Sequence, residues 1–231
     1  MDLILKTARL EKANVTDDEL LLINKQTLRP LEADEVFTFR LAACDNQIDR
    51  DNERFTDSTL AELAERFVGC PVLRDHKWSA DAQTARIYAG SVEDDGTRKR
   101  LVLRCYMPRM EQNADTILAI EGGILRECSV GIAIRRVLCS ICGADQRTTL
   151  CQHAPGRDYD GQRCHMDLDG VADAYEVSLV AVPAQPEAGV IKSKRYGGQE
   201  PPPAHDPPGE PGDDSQDWQD EALLELEKYR F

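Results

Sequence analysis

The sequence predicts an α+β fold, and three observations carry that prediction. Short runs alternate apolar and polar residues with the period of a sheet; two segments gather their apolar residues on one helical face; turn-forming residues separate them. Val36 to Ala43 is the clearest strand, with Phe37, Phe39 and Leu41 alternating with Thr38 and Arg40 as on a sheet with one face in water. Before it, residues 1–33 form a mixed N-terminal segment. Within that segment Leu20-Leu21-Leu22-Ile23 is too short to assign by pattern. After the strand, the polar-dominated stretch Asp45 to Arg54 must be loop.

A helix follows over about 57–68, because Leu60, Leu63, Ala64 and Phe67 share one face. Thr59 with Glu62 suggests a capping box at its start, and Gly69 and Pro71 end it. Pro71-Val72-Leu73 reads as a short strand leading to Asp75-His76. Residues 86–93 and 100–106 read as a β-hairpin around Asp94-Asp95-Gly96. Residues 113–121 make a short helix, with Asn113 as N-cap and Gly122-Gly123 as the stop. The longest strand candidates are 124–138 and 171–182, and a cysteine-rich insert, 139–167, lies between them.

Charge and composition divide the chain near residue 192. The whole carries a net charge of -14, and residues 193–231 hold ten acidic against four basic side chains and six of the twelve prolines. That tail cannot bury enough apolar surface to order itself. Its last residues regain a helical pattern, Trp218, Ala222, Leu226 and Tyr229, which reads either as a docking helix for a partner or as a frayed end. The expected organisation is therefore a 1–33 lead, a 34–192 core containing the insert, and the 193–231 tail. No stretch approaches the ~18 apolar residues of a membrane span, and the early charges of the N-terminus do not suit a signal peptide. A pI near 4.7 argues against a general nucleic-acid binder.

Eight cysteines fall into two groups. Cys44, Cys70, Cys105 and Cys128 sit in apolar segments and read as small buried hydrophobes. Cys139, Cys142, Cys151 and Cys164 lie close together with His153 and His165, in the order Cys-x2-Cys-Gly, Cys-x-His, Cys-His. Without an export signal this spacing reads as a zinc knuckle, not a disulfide framework. Cys139 and Cys142 form one ligand pair, Cys151 and His153 the second, and Cys164 competes for the fourth place. Sulfur-rich ligation with no open position implies a structural zinc, which would replace the core the insert lacks.

Three further segments carry chemistry. In Cys128-Ser129-Val130-Gly131-Ile132-Ala133-Ile134 the face of Cys128, Val130, Ile132 and Ile134 is core, and Ser129, Gly131 and Ala133 leave open space on the other. A serine there is either a reachable nucleophile or a tolerated small residue; no Gly-x-Ser-x-Gly elbow is present. His76 stands outside the insert and the tail, where His205 lies; it is either a structural histidine or the base that a serine nucleophile needs. In the last strand Tyr175, Val177, Leu179 and Ala181 share one face, and Glu176, Ser178, Val180 and Val182 the other. Glu176 in so apolar a strand needs a partner. It either orients an imidazolium or pairs with an arginine such as Arg126 or Arg135; Asp173 is the alternative carboxylate.

In order, Val72-Leu73-Arg74-Asp75-His76, Cys128-Ser129-Val130-Gly131 and Glu176-Val177-Ser178-Leu179-Val180 with Pro183-Ala184 resemble the head-maturation (prohead) serine proteases of tailed bacteriophages, the group related to the herpesvirus assembly proteases. The Asp49-Arg50-Asp51 loop, Arg86-Ile87, and the Cys139-Ser140-Ile141-Cys142-Gly143 insert with Gly156, Tyr159, Gly161 and Cys164 are similar to a subset of them. The resemblance spans roughly residues 15–192. It implies a β-barrel core wrapped by helices, with Ser129 as nucleophile, His76 as general base and acid and Glu176 as third member. It also implies an oxyanion hole of backbone amides, with or without an arginine, at a place the sequence does not give, and no cofactor for catalysis. The implied setting is the procapsid in the host cytoplasm. There such proteases trim scaffold and major capsid protein, and often themselves, with homo-oligomerisation left open and the acidic tail as a tether to scaffold or shell. Two rivals stand beside it: a non-enzymatic structural or adaptor protein of the virion that keeps the fold and the zinc, and a metal-dependent enzyme centred on the insert.

Overall fold

The computed structural model describes residues 15–181 and 188–191 of the chain. The expectations for residues 1–14, for Val182, Pro183 and Ala184, and for the acidic tail with His205 and its terminal helix concern residues outside this range.

The chain first forms α1 (Asp17–Asn24), which resolves the ambiguous leucine run as helix. A capping box fixes its start: Thr16 Oγ1 accepts from Glu19 N, and the Glu19 carboxylate accepts from Thr16 N at 3.1 Å. Ile23 is buried with Val15, Val36, Tyr88 and Tyr106 in a small second core. The strand β1 (Val36–Asp45) is therefore covered on part of the face expected to be wet.

A short strand β2 (Glu53–Phe55) leads into α2 (Asp57–Arg66), whose Leu60, Leu63 and Ala64 are buried as the periodicity predicts. The cap is Thr56, not Thr59. Thr56 has the extended backbone a cap needs, whereas Thr59 lies inside the helix, its hydroxyl donating to Leu168 O (3.0 Å) and accepting from Gly170 N (2.8 Å). Glu62 likewise accepts from Val171 N (3.1 Å) and caps nothing.

Next come β3 (Pro71–Arg74) and the hairpin of β4 (Ala85–Asp94) and β5 (Lys99–Pro108). The Asp95 carboxylate closes the hairpin turn by accepting from Thr97 and Arg98, which holds its pKa well below the usual carboxylate range. In α3 (Ala114–Glu121) Asn113 occupies the cap position, but its side chain donates to Pro108 O (2.9 Å) and does not cap. Then follow β6 (Cys128–Cys139), the two-residue strands β7 (Asp158–Tyr159) and β8 (Gln162–Arg163), β9 (Met166–Leu179) and β10 (Gly189–Ile191). The long strands are thus shifted from expectation: β6 begins at 128, not 124, and β9 runs 166–179, not 171–182.

One mixed sheet runs β10–β1–β5–β4–β3–β9. Along the other edge of β9 lies β6, antiparallel over its whole length; β2 joins β9 in parallel near its start. The inward faces of β1 (Phe37, Phe39, Leu41) and β5 (Leu101, Leu103, Cys105) pack with α2 and with Ile117 and Ile120 of α3 in the main core. The expected closed barrel is not found among the described residues. What joins the two ends is a single bridge, Glu127 to Gly189, with Cys128 N donating to Ala188 O at 3.3 Å. The backbones approach so closely there that a Cβ on Gly189 would meet Arg126 O at 2.2 Å. No described helix is long and apolar enough to cross a membrane.

Cys44, Cys105 and Cys128 lie buried in the main core, and Cys70 at its margin donates to Ala174 O (3.4 Å). Burial lifts the thiols of Cys44 and Cys105 well above the ordinary value, and that of Cys128 to about 12. Burial and a raised thiol pKa both keep a cysteine out of thiolate chemistry, in keeping with their reading as small hydrophobes.

Candidate functional site

Three adjacent strands bring the singled-out residues together. Along β3, β9 and β6 the register aligns Leu73, Ser178 and Ser129, and on the next rung of β9 and β6 away from β3, Glu176 lies opposite Gly131. Val72, Val177 and Val130 belong to the main core, so Ser129, Ser178 and Glu176 stand on the sheet face away from it.

β3 delivers His76 to that face through a sharp turn. Asp75 and His76 both have φ of 52°, a left-handed conformation uncommon for non-glycine residues, which Asp and His enter more readily than most. The turn is held at several points. Asp75 N donates to Leu179 O (3.0 Å), Lys77 N to Arg74 O (3.0 Å), and His76 N to Ser178 Oγ (3.0 Å). Arg74, at the end of β3, is bonded to Thr116 of α3.

The turn points the imidazole at a buried carboxylate. His76 Nδ1 lies 2.7 Å from Glu176 Oε1, and Ser178 Oγ donates to Glu176 Oε2 at 2.6 Å. The Glu176 side chain is 1% exposed and that of His76 42%. An ionised carboxylate only accepts, so with Glu176 ionised this contact has Nδ1–H as the donor. Glu176 fits because Gly131 has no side chain: a Cβ there would meet Oε1 at 2.3 Å. The open space expected above Gly131 is thus filled by the carboxylate.

Ser129 sits directly across from Ser178, and Cβ atoms in such a pair are about 4.5–5.5 Å apart. This sets Ser129 beside the residue that binds His76. Ser178 is fully buried and committed to Glu176 and His76, so of the two serines only Ser129, which is partly exposed, remains reachable. Sequence reading placed Ser178 on the Glu176 face without giving it a role; its spacing of two residues from Glu176 was the available signal.

Other candidates go elsewhere. Arg126 pairs with Glu127 (3.3 Å) and Arg135 with Glu62 (3.7 Å), so neither partners Glu176. Asp173 is exposed, and its carboxylate accepts from Ala174 N. The expected face of Tyr175 with Val177 and Leu179 is broken by a β-bulge: Gly131 pairs with Glu176, Ile132 with Ala174, and Tyr175 is extruded.

A second site lies at the far end of the same ladder. Ligand atoms of Cys139, Cys142, Cys151 and His153 all fall within 4.8 Å of one another, and this cluster can hold a metal ion. The turn that brings the first two together has Gly143 N donating to Cys139 O (2.8 Å) with Gly143 at φ of 73°. Burial pushes the Cys139 thiol up, but hydrogen bonds from the amides of Cys142 and Ile141 and from the Cys151 and Cys142 side chains together leave it below its ordinary value. His153 Nδ1 is buried with no hydrogen-bond partner among the described residues, as a ligand lone pair would be. Cys164 falls outside the four, with its sulfur 3.9 Å from Cys139 Sγ, and packs with Cys139 and Met166 in a small core. His165 also lies outside, its Nε2 3.4 Å from Asp167 Oδ1.

No protein-family model matches the chain, and neither does any curated protein or solved structure.

Replacing Ser178 with Ala should leave the His76 amide and one Glu176 oxygen unpaired. Urea unfolding should show a loss of about 1–3 kcal/mol, the cost of stranded buried polar groups; an unchanged midpoint would mean these bonds are not formed.

Proposed function

We propose that the chain is a serine endopeptidase with Ser129 as nucleophile, His76 as general base and acid, and Glu176 as the carboxylate that orients His76. The observation that carries this reading is the 2.7 Å contact of His76 Nδ1 with a buried Glu176, on the strand paired with Ser129. Geometry of this kind makes a weak alcohol nucleophile usable near neutral pH.

Ser129 Oγ attacks the scissile carbonyl as His76 Nε2 takes its proton, and Glu176 stabilises the imidazolium through Nδ1–H. The tetrahedral intermediate collapses when Nε2 gives that proton to the departing amine, leaving an acyl ester on Ser129. Water repeats the sequence in the second half: His76 takes its proton, the ester breaks, and Ser129 recovers its own. The left-handed turn at Asp75 and His76 fixes where the imidazole can be throughout. The motif resemblance to prohead proteases supplies the substrate class: segments of scaffold and capsid protein within an assembling procapsid, and the chain itself.

The cysteine cluster holds a structural zinc in the same reading. Ser129 and Cys139 are ten residues apart on one strand, roughly 30 Å at the rise of a β-strand. A metal there cannot reach a carbonyl at Ser129, so its work is to close the insert.

An alkyl fluorophosphonate, which loses fluoride to an activated serine, should label the full chain at Ser129, as peptide mapping would show. Ser129→Ala should stay unlabelled, and His76→Ala should react at least about 100-fold more slowly, the smaller end of what a general base contributes. Equal labelling of Ser129→Ala, or none of the wild type, contradicts the reading. Native mass spectrometry under reducing, metal-replete conditions should show one zinc per chain, lost in Cys142→Ser together with a lower unfolding temperature. A chain that carries no metal under those conditions removes the zinc assignment.

A further inference from the structure

We propose that Trp78 and Tyr175 form an aromatic shelf that receives an apolar side chain, of the Leu or Phe kind, from the peptide cleaved at Ser129; this rests on the endopeptidase reading above. Among the described residues they are the two large aromatic side chains left exposed, at 71% and 41%. They touch each other edge to face, with ring centroids 5.8 Å apart and planes at 64°.

Both rings are placed by the elements that build the catalytic pair. Trp78 follows His76 by two residues, on the far side of the left-handed turn. Tyr175 directly precedes Glu176. Strand alternation would have turned Tyr175 into the core with Val177, and the bulge between the Gly131–Glu176 and Ile132–Ala174 pairs turns it out to meet Trp78. Bulges beside active sites commonly re-aim a side chain in this way. The bulge thus does two things in consecutive residues: it sets Glu176 against His76 and sends Tyr175 to Trp78.

The surroundings favour a peptide side chain as the occupant. Along the chain Trp78 lies two residues from His76 and Tyr175 one from Glu176, so the shelf neighbours the pair on both segments that build it. Next to it Lys77 and Asp75 form a loose, exposed ion pair at 3.7 Å, which gives the apolar surface a charged rim. An apolar centre with a polar rim is the anatomy of a pocket that takes one side chain of an extended chain.

The test uses the full chain carrying Trp218→Phe, so that Trp78 is the single indole. Tetrapeptide aldehydes in an alanine frame, with Leu, Phe or Asp moved through each position, compete with the fluorophosphonate for Ser129. Leu and Phe at one position should compete at least about tenfold better than Ala there, the scale set by filling an apolar pocket. Binding should also shield Trp78 from acrylamide quenching. In Trp78→Ala and Tyr175→Ala the ratio of Leu to Ala competition should fall toward one, and Trp78→Phe should retain part of it.

Ser129 labelling with no apolar preference, or a preference unmoved by both alanine variants, overturns the shelf and leaves the endopeptidase reading standing. Trp78 already shielded in the free chain also overturns it, because a segment of the chain itself then covers the pair. Failure of the fluorophosphonate to label Ser129 overturns both together.

Discussion

Glu176 is a carboxylate buried in the middle of an apolar strand, and the arrangement of the candidate site follows from satisfying it. An ionised carboxylate in such a place is strongly unfavourable unless paired and hydrogen-bonded. His76 Nδ1 meets one oxygen, Ser178 Oγ the other, and Gly131 leaves the volume the group occupies. The same bonds determine the backbone. Ser178 holds the His76 amide, which helps to keep two non-glycine residues in a left-handed turn. The imidazole is engaged through Nδ1 by the buried acid, and Ser129 stands on the neighbouring strand, paired with the Ser178 that binds the His76 amide.

The β6–β9 ladder carries two different sites at its two ends. At one end Ser129 pairs with Ser178; at the other Cys139 pairs with Met166, and the insert begins. The insert has only a small apolar cluster of Cys139, Cys164 and Met166. Its loops are set by turns instead: Gly143, and the Asp160-Gly161 pair with φ of 52° and 82° between β7 and β8. A metal bound by Cys139, Cys142, Cys151 and His153 would tie these turns to the ladder.

Much of this is legible in sequence because periodicity reports which face is buried. The faces of β1, α2 and the first half of β6 follow directly from alternation at two and at three-to-four residues. Glu176 stands out because a charge interrupts an apolar strand, and Cys-x2-Cys followed by Gly signals the tight turn that brings two sulfurs together. What the pattern does not carry is irregularity and long-range pairing. The bulge that extrudes Tyr175 inverts the faces of Asp173 and Ala174, a second one between Ala133 and Ile134 restores the phase at Val171, and nothing in Ala174-Tyr175-Glu176 announces the extra residue. Thr59 looks like a cap because its hydroxyl has a suitable neighbour at Glu62, but both are taken by β9, more than 100 residues away in the chain. Closure of a barrel is likewise a property of how distant strands meet, and here the seam between β10 and the start of β6 is one bridge wide.

The central claim is that buried Glu176 sets the protonation and direction of His76. Selective 15N labelling of histidine reads this directly, with His76 assigned among the four histidines by its loss in His76→Gln. Above the imidazole titration the account predicts a proton on Nδ1, protected from exchange, with Nε2 unprotonated. It also predicts that Glu176→Ala releases that proton to rapid exchange. A wild-type His76 protonated on Nε2, or one whose spectrum Glu176→Ala leaves unchanged, would contradict the account.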